Sequence, residues 1–273
     1  MLMPILNPIM RAILGTRVGG AFDPLSLFAT GEVGVYYDPS DLSTLFQDSV
    51  GTTPVTAVEQ PVGLMLDKSG NGNHASQPTA GKRPILQESG GLYGLKFDGV
   101  DDCMYTAAID FSGTDKVSCW AGVTKVVDTA QIVAELSTNT NISDGAFFML
   151  TGSDGGFIEA YTSLARGTAS VTDGHGAGYA GVPAPDTATL TITHDISGDL
   201  STIKRNGVAG TNGTTDKGAG NFGNYPMYIG SRAGTGFFFS GNLYPTIIAG
   251  ALYDADTVGK MNQYVAKKTG VTL

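Results

Sequence analysis

The sequence predicts an all-β chain: an antiparallel β-sandwich of jelly-roll type closed by one short C-terminal helix. Three observations predict it. From Val62 to Val265, short runs rich in β-branched and aromatic residues recur, and nearly every gap between them holds Gly, Asn, Asp or Ser. The 39 glycines are spread along the chain rather than set in triplets, which implies many turns and excludes collagen. The hydrophobic fraction of 41% is enough for a core and too high for a disordered chain. A length of 273 residues suits one large β-domain.

The elements follow in order. Residues 1–34 read as an extended N-terminal arm punctuated by Pro and Gly, ahead of a sandwich spanning 35–273. The first fifteen residues are apolar. No basic stretch precedes them, two prolines interrupt them and Arg11 lies among them, so they are expected to be retained rather than removed as a signal peptide. They are also too short for a membrane span of about 20 residues. A helical turn is expected at Pro24–Phe28, capped by Asp23. Val33–Tyr37 reads as a strand. The apolar set Leu42, Leu45 and Phe46 predicts a short helix or helical turn over Ser40–Phe46.

The run KVSCWAGVTKV, from Lys116, is a strong strand and places Trp120 in the core. HDISGDLSTIKRNGVAG, from His194, is the clearest hairpin region, and its Asn206-Gly207 pair suits a turn needing positive φ at both positions. Gly167–Thr187 is rich in Gly, Ala and Pro and reads as a long loop of the kind that carries function. The chain closes with a helix from the cap Asp254 to the stop Gly270, with Lys267 and Lys268 in its last turn, packed outside the sandwich.

Charge and cysteine narrow the function. With 16 Lys+Arg against 25 Asp+Glu, the net charge of −9 excludes nucleic-acid binding by phosphate neutralisation, and no basic run longer than two residues supports a membrane patch. Cys103 and Cys119 form no CxxC pair and have no zinc spacing; they read as buried free thiols, with a disulfide across neighbouring strands left open.

Three stretches in order carry a resemblance. LDKSGNGNHA (Leu66–Ala75), GLKFDGVDDCM (Gly94–Met104) and the ending from Tyr228 to Gly270 are similar to the concanavalin-like, laminin-G-like jelly-roll domains of bacterial and phage proteins, over roughly residues 35–270. A further stretch, Tyr36–Gln77, resembles a segment of tailed-bacteriophage structural proteins. The resemblance implies a concanavalin-like sandwich. It also implies a non-enzymatic virion protein on a tail or capsid surface, docked to other virion proteins through residues 1–34 and trimeric by analogy. The alternative it allows is a carbohydrate-binding, receptor-recognising module, and behind that a polysaccharide depolymerase.

Glycoside hydrolysis needs a pair of carboxylates, whereas Glu135 and Glu159 each stand alone on an expected strand and are expected to face solvent. His74, His175 and His194 have no motif partner, and His74 reads as structural. No cofactor is expected beyond calcium, for which Asp98, Asp101 and Asp102 form the oxygen-rich candidate. For glycan contact the candidates are the loop-associated tyrosines Tyr161, Tyr179 and Tyr225.

Overall fold

The computed structural model describes residues 22–137, 139, 144–154, 156–168 and 176–273. The strands are β1 (Gly34–Tyr37), β2 (Leu45–Phe46), β3 (Leu64–Met65), β4 (Ala75–Ser76), β5 (Ile85–Ser89), β6 (Leu92–Asp98), β7 (Met104–Asp110), β8 (Lys116–Lys125) and β9 (Gln131–Leu136). They continue with β10 (Phe147–Thr151), β11 (Tyr161–Ala165), β12 (Gly178–Tyr179), β13 (Asp186–Asp195), β14 (Leu200–Arg205), β15 (Val208–Ala209), β16 (Asn224–Ile229) and β17 (Ser240–Ala249), and helix α1 (Ala255–Thr269) closes the chain. They form two antiparallel sheets packed as a sandwich, as the sequence predicts. Sheet A runs β15-β14-β13-β8-β17-β6-β5, and sheet B runs β12-β11-β10-β9-β16-β7-β4-β3-β2.

The period-2 pattern of β8 explains how sheet A is buried on both sides. Val117, Cys119, Ala121 and Val123 enter the core between the sheets, while Trp120 joins a second cluster with Leu27, Tyr36, Ile247, Met261 and Val265. That second cluster is the seat of α1. Asp254 caps the helix by accepting from the Thr257 N–H at 2.7 Å, and Gly270 ends it at φ 75°, a left-handed conformation that costs glycine little. Beneath its last turn a Cβ on Gly122 would stand 2.2 Å from Oγ1 of Thr269. Gly122→Ala is therefore expected to lower stability by about 1–3 kcal/mol through overpacking, read as a lower melting temperature.

β17 bears two partners in succession along one edge. Ser240–Leu243 pair with β6, the register then shifts, and Thr246–Ala249 pair with β1. The LDKSGNGNHA stretch fastens β1 in place. The Asp67 carboxylate accepts from the backbone N–H groups of Tyr36, Ser69 and Asn73 at 2.9, 2.9 and 3.0 Å, and Asn73 Nδ2 donates to Gly34 O at 2.9 Å. His74 Nδ1 accepts from the Asp67 N–H at 3.0 Å, a structural role. The motif is thus a polar staple, made by short side chains that bond neighbouring backbone.

Several expectations are met locally. Pro24–Phe28 is a 3₁₀ turn capped by Asp23, and Asn206 and Gly207 turn β14 into β15 with φ 50° and 77°. Others are corrected. Of the short helix or helical turn expected over Ser40–Phe46, only a turn at Leu42–Thr44 forms, because Leu45 and Phe46 pair with Met65 and Leu64 as strands, and this pairing outweighs an apolar spacing of barely two turns. Within the expected arm, residues 22–34 lie against the sandwich, with Leu27 and Phe28 buried and the Tyr253 hydroxyl donating to Leu27 O at 2.5 Å. Residues 1–21 lie outside the described residues. The expected loop Gly167–Thr187 contains β12, which pairs with β11, while 169–175, including His175, lie outside the described residues. Cys103 and Cys119 are buried free thiols.

Candidate functional site

The outer face of sheet B carries a row of side chains in register across six strands: Ser76, Tyr105, Tyr228, Glu135, Phe148 and Leu164. Residues opposed in a ladder share a face, and neighbouring strands lie about 4.8 Å apart. One half of the row is open and the other is covered.

The open half is a cleft of about 420 Å³ over Tyr105 and Tyr228, whose rings are 5.9 Å apart and tilted by 39°. Gln77, Thr79, Lys82, Cys103, Ala233 and Gly234 complete the lining. The part around Gln77 is firmly held. Gln77 Nε2 donates to Cys103 O at 2.8 Å, its Oε1 accepts from the Thr79 N–H at 3.0 Å, and the Lys82 carbonyl accepts from the Cys103 N–H at 3.1 Å. Arg83 donates to Gln77 O and Pro78 O at 2.9 and 2.8 Å. Ala233 and Gly234 belong to a tight turn beside Cys103, with φ 54° and 67°, in which the Gly234 N–H donates to Ser231 Oγ at 3.0 Å. Burial, with the neighbouring Tyr105 and Cys103, pushes the Tyr228 phenol up, so it stays a neutral donor; burial likewise pushes the Cys103 thiol up and keeps it from acting as a thiolate. Among the described residues, the Tyr105, Tyr228 and Thr79 hydroxyls and the Lys82 ammonium have no hydrogen-bond or ion-pair partner.

The covered half is an ion pair. Glu135, expected to face solvent, is fully buried, and Arg232 Nε donates to its Oε2 and Oε1 at 2.9 and 3.2 Å. The guanidinium lies 5.8 Å from the Phe148 ring centroid and 4.6 Å from that of Phe237. The expectation for Glu135 fails because a neighbouring loop, not solvent, covers this part of the sheet. Glu159 is not on a strand but in a loop, at φ 50°.

Of the other sequence candidates, Tyr161 and Tyr179 are paired across β11 and β12, and Tyr225 stands apart on β16. Tyr161 is fully buried and its hydroxyl donates to Asp186 Oδ2 at 2.6 Å, so glycan contact through it is corrected: its ring belongs to the core. Tyr179 is partly buried 6.0 Å from the Arg205 guanidinium. Tyr225 packs against the core and donates to Asp144 O at 2.9 Å. The three form no common platform.

Asp98, Asp101 and Asp102 do meet, with carboxylate oxygens within 4.8 Å of one another. Asp98 Oδ1 accepts from the N–H groups of Val100, Asp101 and Asp102 at 2.8, 3.2 and 3.3 Å, and Asp102 Oδ2 accepts from the Asp98 N–H at 3.0 Å. Burial, with the charges of Asp98 and Asp101, pushes Asp102 up to about 6. Calcium takes 6–8 oxygens, and the best-placed one here already caps the turn. The cluster is the expected one, and its geometry is that of an Asx-capped turn.

No family model matches the sequence, and a search of curated proteins finds no match. Solved structures share the fold. A GH54 α-L-arabinofuranosidase soaked with a cyclic sulfate inhibitor aligns over 91% of this chain and 66% of its own, with 13% identity and a TM-score of 0.60. An arabinofuranosidase complexed with arabinofuranosyl-α-1,2-xylobiose aligns over 77% of this chain, with 13% identity and a TM-score of 0.53; the alignment covers 51% of that protein, about half its length. Domain 4 of a GH43 extracellular arabinanase from Geobacillus stearothermophilus, in complex with arabinotriose, aligns over 87% of this chain and 98% of its own, with 13% identity and a TM-score of 0.51. At such identity the likeness is one of fold.

These findings correct two expectations. The non-enzymatic virion reading rests chiefly on the resemblance of Tyr36–Gln77 to phage structural proteins, whereas the solved structures named above, which share the fold, are glycoside hydrolases and a domain of one. The sandwich therefore gives no ground for excluding catalysis and none for virion partners or a trimer. Among the described residues, no helix is long and apolar enough to cross a membrane.

Proposed function

We propose that the chain binds glycans in the Tyr105–Tyr228 cleft. The observation that carries this reading is the cleft itself: two tyrosine rings side by side on a sheet, with three hydroxyls and an ammonium that have no partner among the described residues. Sugar rings offer apolar C–H faces to stack on aromatic rings and hydroxyls to bond with fixed polar groups, the combination that small-molecule sites use. Sheets position such groups more firmly than loops do. The likeness to an arabinanase domain bound to arabinotriose, which this chain spans almost completely, supports a binding domain of carbohydrate-active type.

The test is titration calorimetry against a panel of arabino-, xylo-, galacturono- and sialyl-oligosaccharides, with reducing ends assayed after each run. At least one sugar is expected to bind, and Tyr105→Ala and Tyr228→Ala are each expected to weaken it about tenfold or more, the equivalent of about 1.4 kcal/mol. Affinity unchanged in both variants, or no binding across the panel at millimolar sugar, overturns the reading. Release of reducing ends would add catalysis to binding.

A further inference from the structure

Resting on the glycan-binding reading, we infer that the sugar seated in the cleft carries a carboxylate and that Lys82 is the group that selects it. Lys68, Lys116, Lys125, Lys260 and Lys268 are each paired with an aspartate, and the ammonium of Lys217 is taken up by the carbonyls of Gly213 and Thr215. In a chain of net charge −9, acidic partners are plentiful. Lys82, Lys96, Lys204 and Lys267 have none among the described residues, and of these four Lys82 alone lines this cleft.

Its backbone is fixed at the end of the Ala80–Lys82 turn by the bond from Cys103, and Arg83 beside it is spent on holding the loop. The ammonium is therefore a tethered charge at the edge of an aromatic floor. A pyranose stacked on that floor carries its ring substituents outward at its edge. A carboxylate on the ring, as in a uronate or an ulosonate, projects toward the wall where Lys82 and Thr79 stand, while the tyrosine hydroxyls meet the sugar's own hydroxyls. One ammonium matches one carboxylate per sugar. The protein's net negative charge works against densely sulfated polymers, so the charge it admits is sparse and local. Attraction at this partly exposed cation is screened by salt.

The experiment compares oligogalacturonides, their methyl esters, sialyllactose and dextran sulfate as probes of the full chain, Lys82→Met and Lys82→Arg, at 20 and 200 mM salt, roughly 22 and 7 Å of Debye length. At least one carboxylate sugar is expected to bind; in Lys82→Met its affinity falls about tenfold and loses its salt dependence, while Lys82→Arg retains most of it. If the oligogalacturonides are the ligand, their esters bind about tenfold more weakly. Equal binding of ester and acid, an unaffected Lys82→Met, or competition by dextran sulfate at matched charge overturns the inference. A neutral sugar that binds through Tyr105 and Tyr228 without regard to Lys82 defeats this inference and leaves the glycan-binding reading standing. A blank panel defeats both.

Discussion

Glu135→Ala is expected to lower the unfolding free energy by about 3–5 kcal/mol, the cost of removing one partner from a buried ion pair. Glu135 is fully buried on the outer face of sheet B, and the Arg232 side chain opposite is only 10% exposed. Once the carboxylate is gone, the guanidinium stays between Phe148 and Phe237 without it, still shielded from water. Both partners of such a pair have already lost their hydration, so removing one alone leaves the other's desolvation uncompensated. Glu135→Ala/Arg232→Met removes both charges and is expected to recover part of the loss. Urea unfolding of the two single variants and the double variant measures this as a coupling energy. A loss under about 1 kcal/mol for Glu135→Ala, the range of exposed pairs, would contradict the buried pair.

Acid is expected to weaken this protein at a pH where its carboxylates are still largely ionised, because of His194. The ring is fully buried on β13, its Nδ1 is 2.7 Å from Ser201 Oγ, and its centroid is 6.3 Å from that of Phe147. Burial first, and then the charge of Lys217, push its pKa down to about 3 from an ordinary 6.5. The folded state thus prefers the neutral ring, and the unfolded chain takes up the proton first. The stability is fully present above pH 6.5 and is lost as pH falls from there toward 3. At one proton, the slope is about 1.4 kcal/mol per pH unit, so roughly 2 kcal/mol is gone at pH 5. Melting temperatures of the natural chain and His194→Gln between pH 7 and 4.5 provide the check. The variant is expected to lose the slope in this window, whatever its stability at pH 7. Parallel curves would show that the histidine is already charged in the fold.

The parts of this molecule that were legible from sequence are those with local causes. β8 was legible because ten consecutive residues favour a strand, the β14–β15 turn because Asn206-Gly207 fits few other conformations, and α1 because Asp254 and Gly270 mark its ends. The Leu42–Phe46 spacing misled because two residues of it are claimed by β3, a partner their own spacing cannot reveal. The cleft was missed for the same reason. Tyr105 follows the buried Met104, and Tyr228 lies between the buried Met227 and Ile229, so alternation alone turns both tyrosines away from the core. That signal was present in MYTAAID and NYPMYI. What sequence did not show is that β7 and β16, far apart in the chain, are neighbours in sheet B. Attention to tyrosines near loops found Tyr161 instead, whose ring faces inward.

The handover on β17, from β6 to β1, sets a timetable for synthesis. β1 emerges from the ribosome long before its hydrogen-bonding partners, Thr246 to Ala249. β8, the centre of sheet A, waits on the same strand for one of its two neighbours. Until then the nascent chain holds an unpaired GVYY edge and half of a central sheet open to any other strand, which is the condition that chaperones guard against. Closure of sheet A is therefore a late and long-range event, and it places this chain among slow folders. The Asp67 staple, made entirely from residues 34–74, can hold β1 in its extended shape throughout that wait.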